Sequence, residues 1–123
     1  MKTVDIKTVK GVVFNGGKSY RTVLKSDNLG FAMMKTVIEK GGAYKWHYKN
    51  HKEACMCIEG SGVLEDLSTG EKHIIQPGIT YLVDNYQPHL FTANTEVILI
   101  SVFNPPLIGN ETHDKDGNYN LNN

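Results

Sequence analysis

The fold of this chain is decided by two stretches of sequence, Gly42-Ala-Tyr-Lys-Trp-His-Tyr-Lys-Asn-His-Lys-Glu53-Ala-Cys-Met-Cys-Ile-Glu-Gly60 and the segment from Pro77-Gly78 to His89. Each stretch joins a short apolar or β-branched run to turn residues. In the first, the run Ala54 to Ile58 ends at a turn with Gly60, and in the second, Thr80 to Val83 follows the Pro-Gly pair. Short runs of this kind, bounded by turn residues, predict β-strands.

The rest of the sequence repeats this pattern and carries few helix signals. Turn residues separate the short runs about every 8–12 residues, which is typical of a sandwich or a barrel. Leu67-Ser-Thr-Gly-Glu71 resembles a hairpin tip, with Gly70 in the left-handed conformation. We therefore predict an all-β fold, a small jelly roll or barrel whose closure protects its sheet edges. The predicted strands are 22–24, 31–38, 54–58, 62–67, 73–75, 80–83 and 96–103.

Length and charge limit the classes of function. The 123 residues suit one domain, 1–123, since domains usually have about 100–200 residues. The 13 basic and 13 acidic residues give a net charge of zero, and no basic patch for nucleic acid is visible. No apolar run approaches the roughly 20 residues that cross a bilayer, and Met1 to Lys10 lack the apolar core of a secretion signal. We expect a cytoplasmic domain that binds neither nucleic acid nor membrane, with a frayed polar tail at 118–123.

The two cysteines, Cys55 and Cys57, are interpreted as small buried hydrophobes. Residues two apart on a strand share a face, but their Cα atoms lie about 6.5–7 Å apart, which is near the limit for a disulfide. Two cysteines without a secretion signal do not form a disulfide framework, so a reducing compartment is expected.

The two stretches resemble the two sequence motifs of the cupin superfamily. The first motif ends in a Glu, six further residues and a Gly, and Glu53 and Gly60 fit that spacing. In the second motif, a Pro and a Gly precede a metal-binding position and then an Asn, and Pro77, Gly78 and Asn85 fit. Both motifs occur in the expected order with a short hairpin between them. This resemblance implies a cupin-type jelly-roll barrel.

The metal-binding histidines of the cupin pattern are mostly replaced in this chain. Tyr81 stands in the His position of the second motif, and the His-x-His pair of the first is reduced to His47, followed by Lys49. The remaining candidate ligands are Glu53, Tyr81 and His89. One carboxylate, one phenolate and one imidazole suit a borderline-hard divalent ion, so Fe²⁺ is predicted, with another divalent metal possible.

Longer stretches resemble the ectoine synthase family specifically. They are His47-Tyr-Lys-Asn-His-Lys-Glu-Ala54, Cys57-Ile-Glu-Gly60 and Phe103-Asn-Pro-Pro-Leu-Ile-Gly-Asn-Glu-Thr-His-Asp-Lys-Asp-Gly117, and the resemblance runs from about Arg21 to Tyr119. Generic cupins lack the first and the third of these. The resemblance implies an iron-dependent hydro-lyase, usually a homodimer. Such an enzyme closes N-γ-acetyl-2,4-diaminobutyrate to ectoine with loss of water, in the synthesis of an osmoprotectant.

The resemblance also implies roles for individual residues. The metal ligands of the family fall on Glu53, Tyr81 and His89, the same three residues that the cupin spacing indicates. The substrate-side positions that match in residue type are Arg21, Thr36, Tyr48, His51, Phe103, Glu111 and His113. Cyclisation needs a base for the attacking amine and an acid for the departing oxygen. The residues that can supply the acid and the base are Tyr48, His51, Glu111 and His113. The Arg21 guanidinium is suited to bind a substrate carboxylate.

Two positions depart from the family pattern and leave the substrate open. A Trp found in many members aligns with Gly17, and a polar Asn or His aligns with Met34. Both positions border the substrate pocket in the family. One alternative is therefore a cupin cyclase that acts on a related small amide or amino acid, such as glutamine. Another is a non-catalytic cupin that binds a small ligand, although the retained acid–base residues argue against it.

Overall fold

Two antiparallel sheets form the molecule in a computed structural model, which describes residues 1–119. The strands are β1 (Val12–Phe14), β2 (Gly17–Val23), β3 (Ala32–Ile38), β4 (Ala43–Trp46), β5 (Lys52–Glu59), β6 (Gly62–Asp66), β7 (Lys72–Ile75), β8 (Thr80–Val83), β9 (His89–Ala93) and β10 (Val97–Asn104). A six-stranded sheet has the order β1-β2-β3-β10-β5-β8, and a four-stranded sheet the order β4-β9-β6-β7. Two 3₁₀ helices, Ile6–Thr8 and Lys25–Asp27, are the helical segments of the described chain.

The core lies between the two sheets, and the alternation of side chains along each strand fills it. In β3 the residues Ala32, Met34, Thr36 and Ile38 are buried, whereas the residues between them are partly exposed. Successive side chains of a strand point to opposite faces, so every second residue reaches the core. Phe91 of β9 is fully buried there, and burial of such a ring contributes about 1.5–3 kcal/mol.

The prediction of an all-β fold is confirmed, and each predicted strand corresponds to an observed one. Gly70 at the tip of the β6–β7 hairpin has a φ of 80°, as its place in the turn requires. The sequence did not indicate β1, β4 or β9. Strands β4 and β9 pair with each other, with Trp46 opposite His89, so their pairing depends on a partner far away in sequence.

The last described residues are held against the barrel. Asn118 and Tyr119 are 6% and 2% exposed. The Lys49 N–H donates to Asn118 Oδ1 at 2.8 Å, and Asn50 Nδ2 donates to the Tyr119 carbonyl at 3.1 Å. The expectation of a frayed tail is therefore wrong for residues 118 and 119, because the loop around residues 47–50 and the aromatic core bind them. Residues 120–123 lie outside the described residues.

Two further expectations concern the cysteines and the membrane. Cys55 and Cys57 are free and buried, which confirms their interpretation as small core residues without a disulfide. Among residues 1–119, neither helical turn is long or apolar enough to traverse a bilayer.

Candidate active site

The three predicted metal ligands come from three strands and reach the interior of the barrel. Glu53 on β5 and Tyr81 on β8 line the same internal cavity, and His89 on β9 is 2% exposed. Within the described chain, Glu53 Oε1 and His89 Nε2 are buried without a hydrogen-bond partner, which is uncommon for buried polar atoms. His89 Nδ1 lies 2.8 Å from the Gln87 carbonyl, the outer contact that commonly orients a metal-binding imidazole. These donors fit a divalent metal ion.

Burial sets the protonation of the two oxygen donors. Burial raises the pKa of Glu53 to about 7, although a hydrogen bond with Cys55 opposes the shift. Burial also raises the pKa of the Tyr81 phenol well above its usual value. A cation held by both groups would favour their ionised forms, so its binding would be coupled to proton release.

A tyrosine and a histidine form a neutral hydrogen-bonded pair near these residues. Tyr48 Oη lies 2.9 Å from His113 Nε2. Burial raises the pKa of Tyr48 well above 10 and, with the nearby Arg21 charge, lowers the pKa of His113 to about 3. Near neutral pH the pair therefore consists of two uncharged groups, a phenol and an imidazole.

Arg21 and Glu111 form a buried ion pair at the mouth of the barrel. Arg21 Nη1 lies 3.5 Å from Glu111 Oε1 and donates to the Gly109 carbonyl at 3.1 Å. The Glu111 carboxylate also accepts the N–H groups of Ile108 and Gly109 at 2.7 and 2.8 Å. Burial alone would raise the pKa of Glu111, but these N–H groups and the Arg21 charge outweigh it and lower that pKa. Glu111 is therefore an ionised anchor for the 107–111 loop and for Arg21.

The other predicted substrate-side residues lie at the same end of the barrel. Thr36 Oγ1 is 2.9 Å from Ser101 Oγ. The buried His51 ring meets Phe103 edge to face, with centroids 6.0 Å apart, and burial lowers the pKa of His51. Of the predicted site residues, Thr36, Tyr48, Glu53, Tyr81 and Phe103 line the internal cavity, whereas His89 lines a neighbouring groove that it shares with Tyr81.

Tyr119 covers this end of the barrel. Its ring stacks on Tyr48 with centroids 5.1 Å apart, lies 4.7 Å from the His113 ring, and has the Arg21 guanidinium 5.5 Å from its centroid. The cavity beneath has a volume of about 10 Å³, enough for about one water molecule. A substrate must therefore displace part of this cover.

Several cavity residues had no assigned role at the level of sequence. They are Phe14, Trp46, Leu99, Ser101 and Tyr119. A local signal existed for Ser101, because strand alternation puts it on the same face as Phe103. No local signal existed for Phe14 or Tyr119, since each lies in a segment whose contacts depend on the tertiary fold.

The two positions that depart from the family pattern have different environments. Met34 is buried and lines the cavity. Gly17 does not line it, and a Cβ atom on Gly17 would lie 1.8 Å from the Val37 carbonyl oxygen of the neighbouring strand. The expectation that Gly17 borders the pocket is therefore wrong for this chain, where Trp46 provides an aromatic wall. Of these two positions, Met34 is the one that changes the lining of the cavity.

The fold and the site together define a cupin: a double-sheet β-barrel with a carboxylate, a phenol and an imidazole facing its interior. An RmlC-like cupin from Shewanella frigidimarina shares this fold, with a TM-score of 0.67, 19% identity, and coverage of 85% of this chain and 91% of that one. The family model for ectoine synthase matches residues 2–123. This chain belongs to the ectoine synthase family and is an enzyme of the hydro-lyase class.

Individual relatives agree with this assignment. The L-ectoine synthase of Desulfosudis oleivorans is 44% identical over 115 residues, which cover 93% of this chain and 89% of the relative. The L-ectoine synthase of Sphingopyxis alaskensis is 40% identical over 113 residues, covering 92% and 82%. The crystal structure of ectoine synthase from P. lautus superimposes with a TM-score of 0.84 at 34% identity, covering 89% of this chain and 81% of that one.

Proposed function

We propose that this enzyme closes N-γ-acetyl-2,4-diaminobutyrate to ectoine and water. The observation that carries the proposal is the neutral Tyr48–His113 pair, which lies at the barrel end that also holds the predicted metal ligands. The match of the family model to residues 2–123 and the names of the relatives support the same substrate. The product is a compatible solute.

The Tyr48–His113 pair suits the proton transfers of this cyclisation. The free amine must lose a proton as its nitrogen attacks the acetamide carbonyl, and the carbonyl oxygen must gain protons to depart as water. Because burial opposes an isolated charge on His113, its imidazole accepts the first proton as Tyr48 releases one, so that the pair stays neutral overall. The buried phenol of Tyr48 can donate to the departing oxygen, because burial keeps it protonated.

Arg21 is the proposed partner of the substrate carboxylate. Its Nη1 contacts Glu111 and the Gly109 carbonyl, while its Nη2 is buried without a hydrogen-bond partner in the described chain. A guanidinium with an unused N–H group matches a carboxylate. We propose that Glu111 acts mainly through Arg21, by holding it in place.

We propose that Glu53, Tyr81 and His89 hold a divalent iron ion. The unpartnered Glu53 Oε1 and His89 Nε2 support this assignment, as does the Gln87 carbonyl beside His89 Nδ1. When bound, the ion supplies a Lewis acid to the reaction.

Removal of any one of these ligands is expected to abolish stable iron binding. Glu53→Ala, Tyr81→Phe and His89→Ala each delete one donor, so we expect the iron content to fall from equimolar to a trace. The measurement is the iron content of protein purified and desalted without oxygen. Glu59→Ala is the control, because Glu59 is an exposed carboxylate at the end of β5, the strand that carries Glu53. Equimolar iron in all three ligand variants would contradict the assignment.

The iron-loaded enzyme is expected to form ectoine, and Met34→Asn is expected to raise kcat/KM by up to about tenfold. An amide at this position can hydrogen-bond the substrate, and such a bond typically contributes about 0.5–1.5 kcal/mol. Product is measured by chromatography. Met33→Asn on the opposite face of β3 is the matched control. Folded, iron-loaded enzyme that makes no ectoine but cyclises glutamine would favour the alternative substrate class.

A homodimer in the cytoplasm is the proposed working form of the enzyme. Met56, Ile58 and Leu82, on the outer face of β5 and β8, are 43%, 46% and 64% exposed. A second copy could cover these side chains, and two-fold pairing is the commonest symmetry of oligomers. The free thiols of Cys55 and Cys57 suit a reducing compartment.

A further inference from the structure

A groove opens on the side of the barrel between two strands that are not paired with each other. Strand β7 is the edge of the four-stranded sheet and pairs with β6, whereas β8 is the edge of the six-stranded sheet and pairs with β5. Residues of both edge strands line the groove, which has a volume of about 360 Å³. We call it the lateral groove, and its lining includes Asp66, His73, Tyr81, Asp84 and His89.

The lateral groove reaches the proposed metal ligands from a second side. Tyr81 lines both this groove and the internal cavity. His89 lines the groove, and its Nε2 atom is buried without a hydrogen-bond partner among residues 1–119. Val83 also lines the groove and stands opposite Glu53 in the pairing of β8 with β5. The groove therefore leads from solvent to two of the ligands and to the strand neighbour of the third.

The ionisable groups of the lateral groove suit a cation. Asp66 and Asp84 contribute carboxylates and His73 an imidazole, and no Lys or Arg of the described chain lines the groove. Asp66 is directly opposite His89 in the register of β6 and β9, so the two side chains lie on the same face of the sheet. Asp66 Oδ1 accepts hydrogen bonds from the N–H and the hydroxyl of Ser68, which leaves Oδ2 to face a cation. Carboxylates that line a cleft raise the local concentration of cations.

The size of the lateral groove also suits a hydrated ion. The internal cavity of about 10 Å³ holds about one water molecule, and Tyr119 covers it. The lateral groove, at about 360 Å³, has room for about a dozen water molecules of roughly 30 Å³ each. A divalent ion with an octahedral shell of about six waters therefore fits the groove but not the covered end of the barrel.

We propose that the lateral groove is the path by which the divalent cation reaches Glu53, Tyr81 and His89, and that Asp66 draws it inward from solvent. This inference rests on the proposed metal site. The cation and the substrate then use different openings, since the substrate arrives at the end that Tyr119 covers. It follows that the metal loads without displacement of Tyr119.

A bulky side chain in the lateral groove tests the path. Ile79, which directly precedes β8, lines the groove and is 38% exposed, so Ile79→Trp narrows it. We expect iron uptake by the metal-free protein, and removal of iron from the loaded protein by a chelator, each to slow by about tenfold, which corresponds to a barrier about 1.4 kcal/mol higher. Because the ion uses the same path in both directions, the affinity is expected to stay unchanged. Rapid mixing with a coloured iron chelator, without oxygen, measures both rates.

The matched control is Ile74→Trp, the same replacement at a residue of β7 that is 71% exposed and does not line the groove. We expect it to take up iron at the rate of the parent. His73→Trp narrows the groove from the opposite strand, and it replaces Ile79→Trp if that variant does not fold.

The charge of Asp66 is tested separately. Asp66→Asn removes one of the two carboxylates of the groove, so we expect uptake to slow by about three- to tenfold and to depend less on salt concentration. Asp116→Asn is the control, because Asp116 is an exposed acid that lines a different groove.

Two results would overturn the inference while the metal site stands. Equal uptake rates in the parent, Ile79→Trp and His73→Trp would show that the cation does not pass through the lateral groove. Tyr119→Ala is expected to take up iron at the parent's rate, and faster uptake would show that the cation enters at the substrate end. A parent protein that binds no iron would overturn the proposed metal site and the path together, which distinguishes that failure from failure of the path alone.

Discussion

Glu111→Ala is expected to abolish ectoine formation and to lower the free energy of unfolding by about 3–5 kcal/mol, because it leaves a buried guanidinium without its partner. Both members of the Arg21–Glu111 pair are almost fully buried. The variant also leaves the N–H groups of Ile108 and Gly109 without their acceptor. Displacement of Arg21 from the substrate carboxylate should slow turnover by roughly 100-fold or more, since a misplacement of about 1 Å can have that effect.

The Glu111 experiment needs both a stability and an activity measurement. Denaturant unfolding gives the free energy, and ectoine formation by the iron-loaded protein gives the rate. Glu71→Ala is the control, because the Glu71 side chain is 69% exposed and meets only His73 at the surface. We expect that replacement to change stability by less than about 0.5 kcal/mol. A Glu111→Ala enzyme with the stability and rate of the parent would disprove the anchoring role.

Tyr119→Ala is expected to lower the free energy of unfolding by about 3–5 kcal/mol, the range for removal of a large buried ring. The ring packs against Tyr48, Phe103 and His113, with centroids 4.7 to 5.4 Å apart. Removal leaves a void over a site that now encloses only about 10 Å³. Because substrate then has less protein to displace, we also expect KM to fall.

Two variants separate the ring from its hydroxyl and from general destabilisation. Tyr119→Phe keeps the ring and should retain most of the stability. Tyr86→Ala removes a tyrosine that is 41% exposed and should change stability little. Thermal unfolding and steady-state kinetics measure the two effects. A Tyr119→Ala protein with the parent's stability and KM would show that this ring neither closes nor supports the site.

Local sequence was sufficient to predict much of the barrel and the proposed metal ligands. Tyr81 lies in the predicted strand 80–83 and Glu53 directly precedes the predicted strand 54–58, and the spacing of the two cupin motifs indicated both as ligand candidates. For His89, the cupin and family patterns gave the position, although the strand that carries it was not predicted. His89 pairs with Trp46 on the neighbouring strand β4, and no local sequence pattern near either residue predicts that these two strands pair.

The environments of other residues depended on contacts far away in sequence. From the sequence, Gly17 is interpreted as the loss of an aromatic wall of the pocket. In the structure, the Val37 carbonyl of the neighbouring strand occupies the space where a side chain at position 17 would lie. Cys55 is interpreted from the sequence as a small hydrophobe, and burial confirms that, but its thiol also donates to Ser101 on another strand.

The sequence by itself determined the β-architecture, the family and the candidate ligands Glu53 and Tyr81, because turn chemistry acts over a few residues and motif spacing is read directly along the chain. Only the tertiary structure decided that Tyr119 covers the site, that Glu111 is committed to Arg21, and that the Cys55 thiol donates to Ser101. These features arise where segments far apart in sequence meet, as Arg21 and Glu111, which are 90 residues apart, do. The protonation states of the site residues were likewise decided by the tertiary structure. Burial raises the pKa of Glu53 and lowers that of His113, and these residues become buried only when the two sheets pack together.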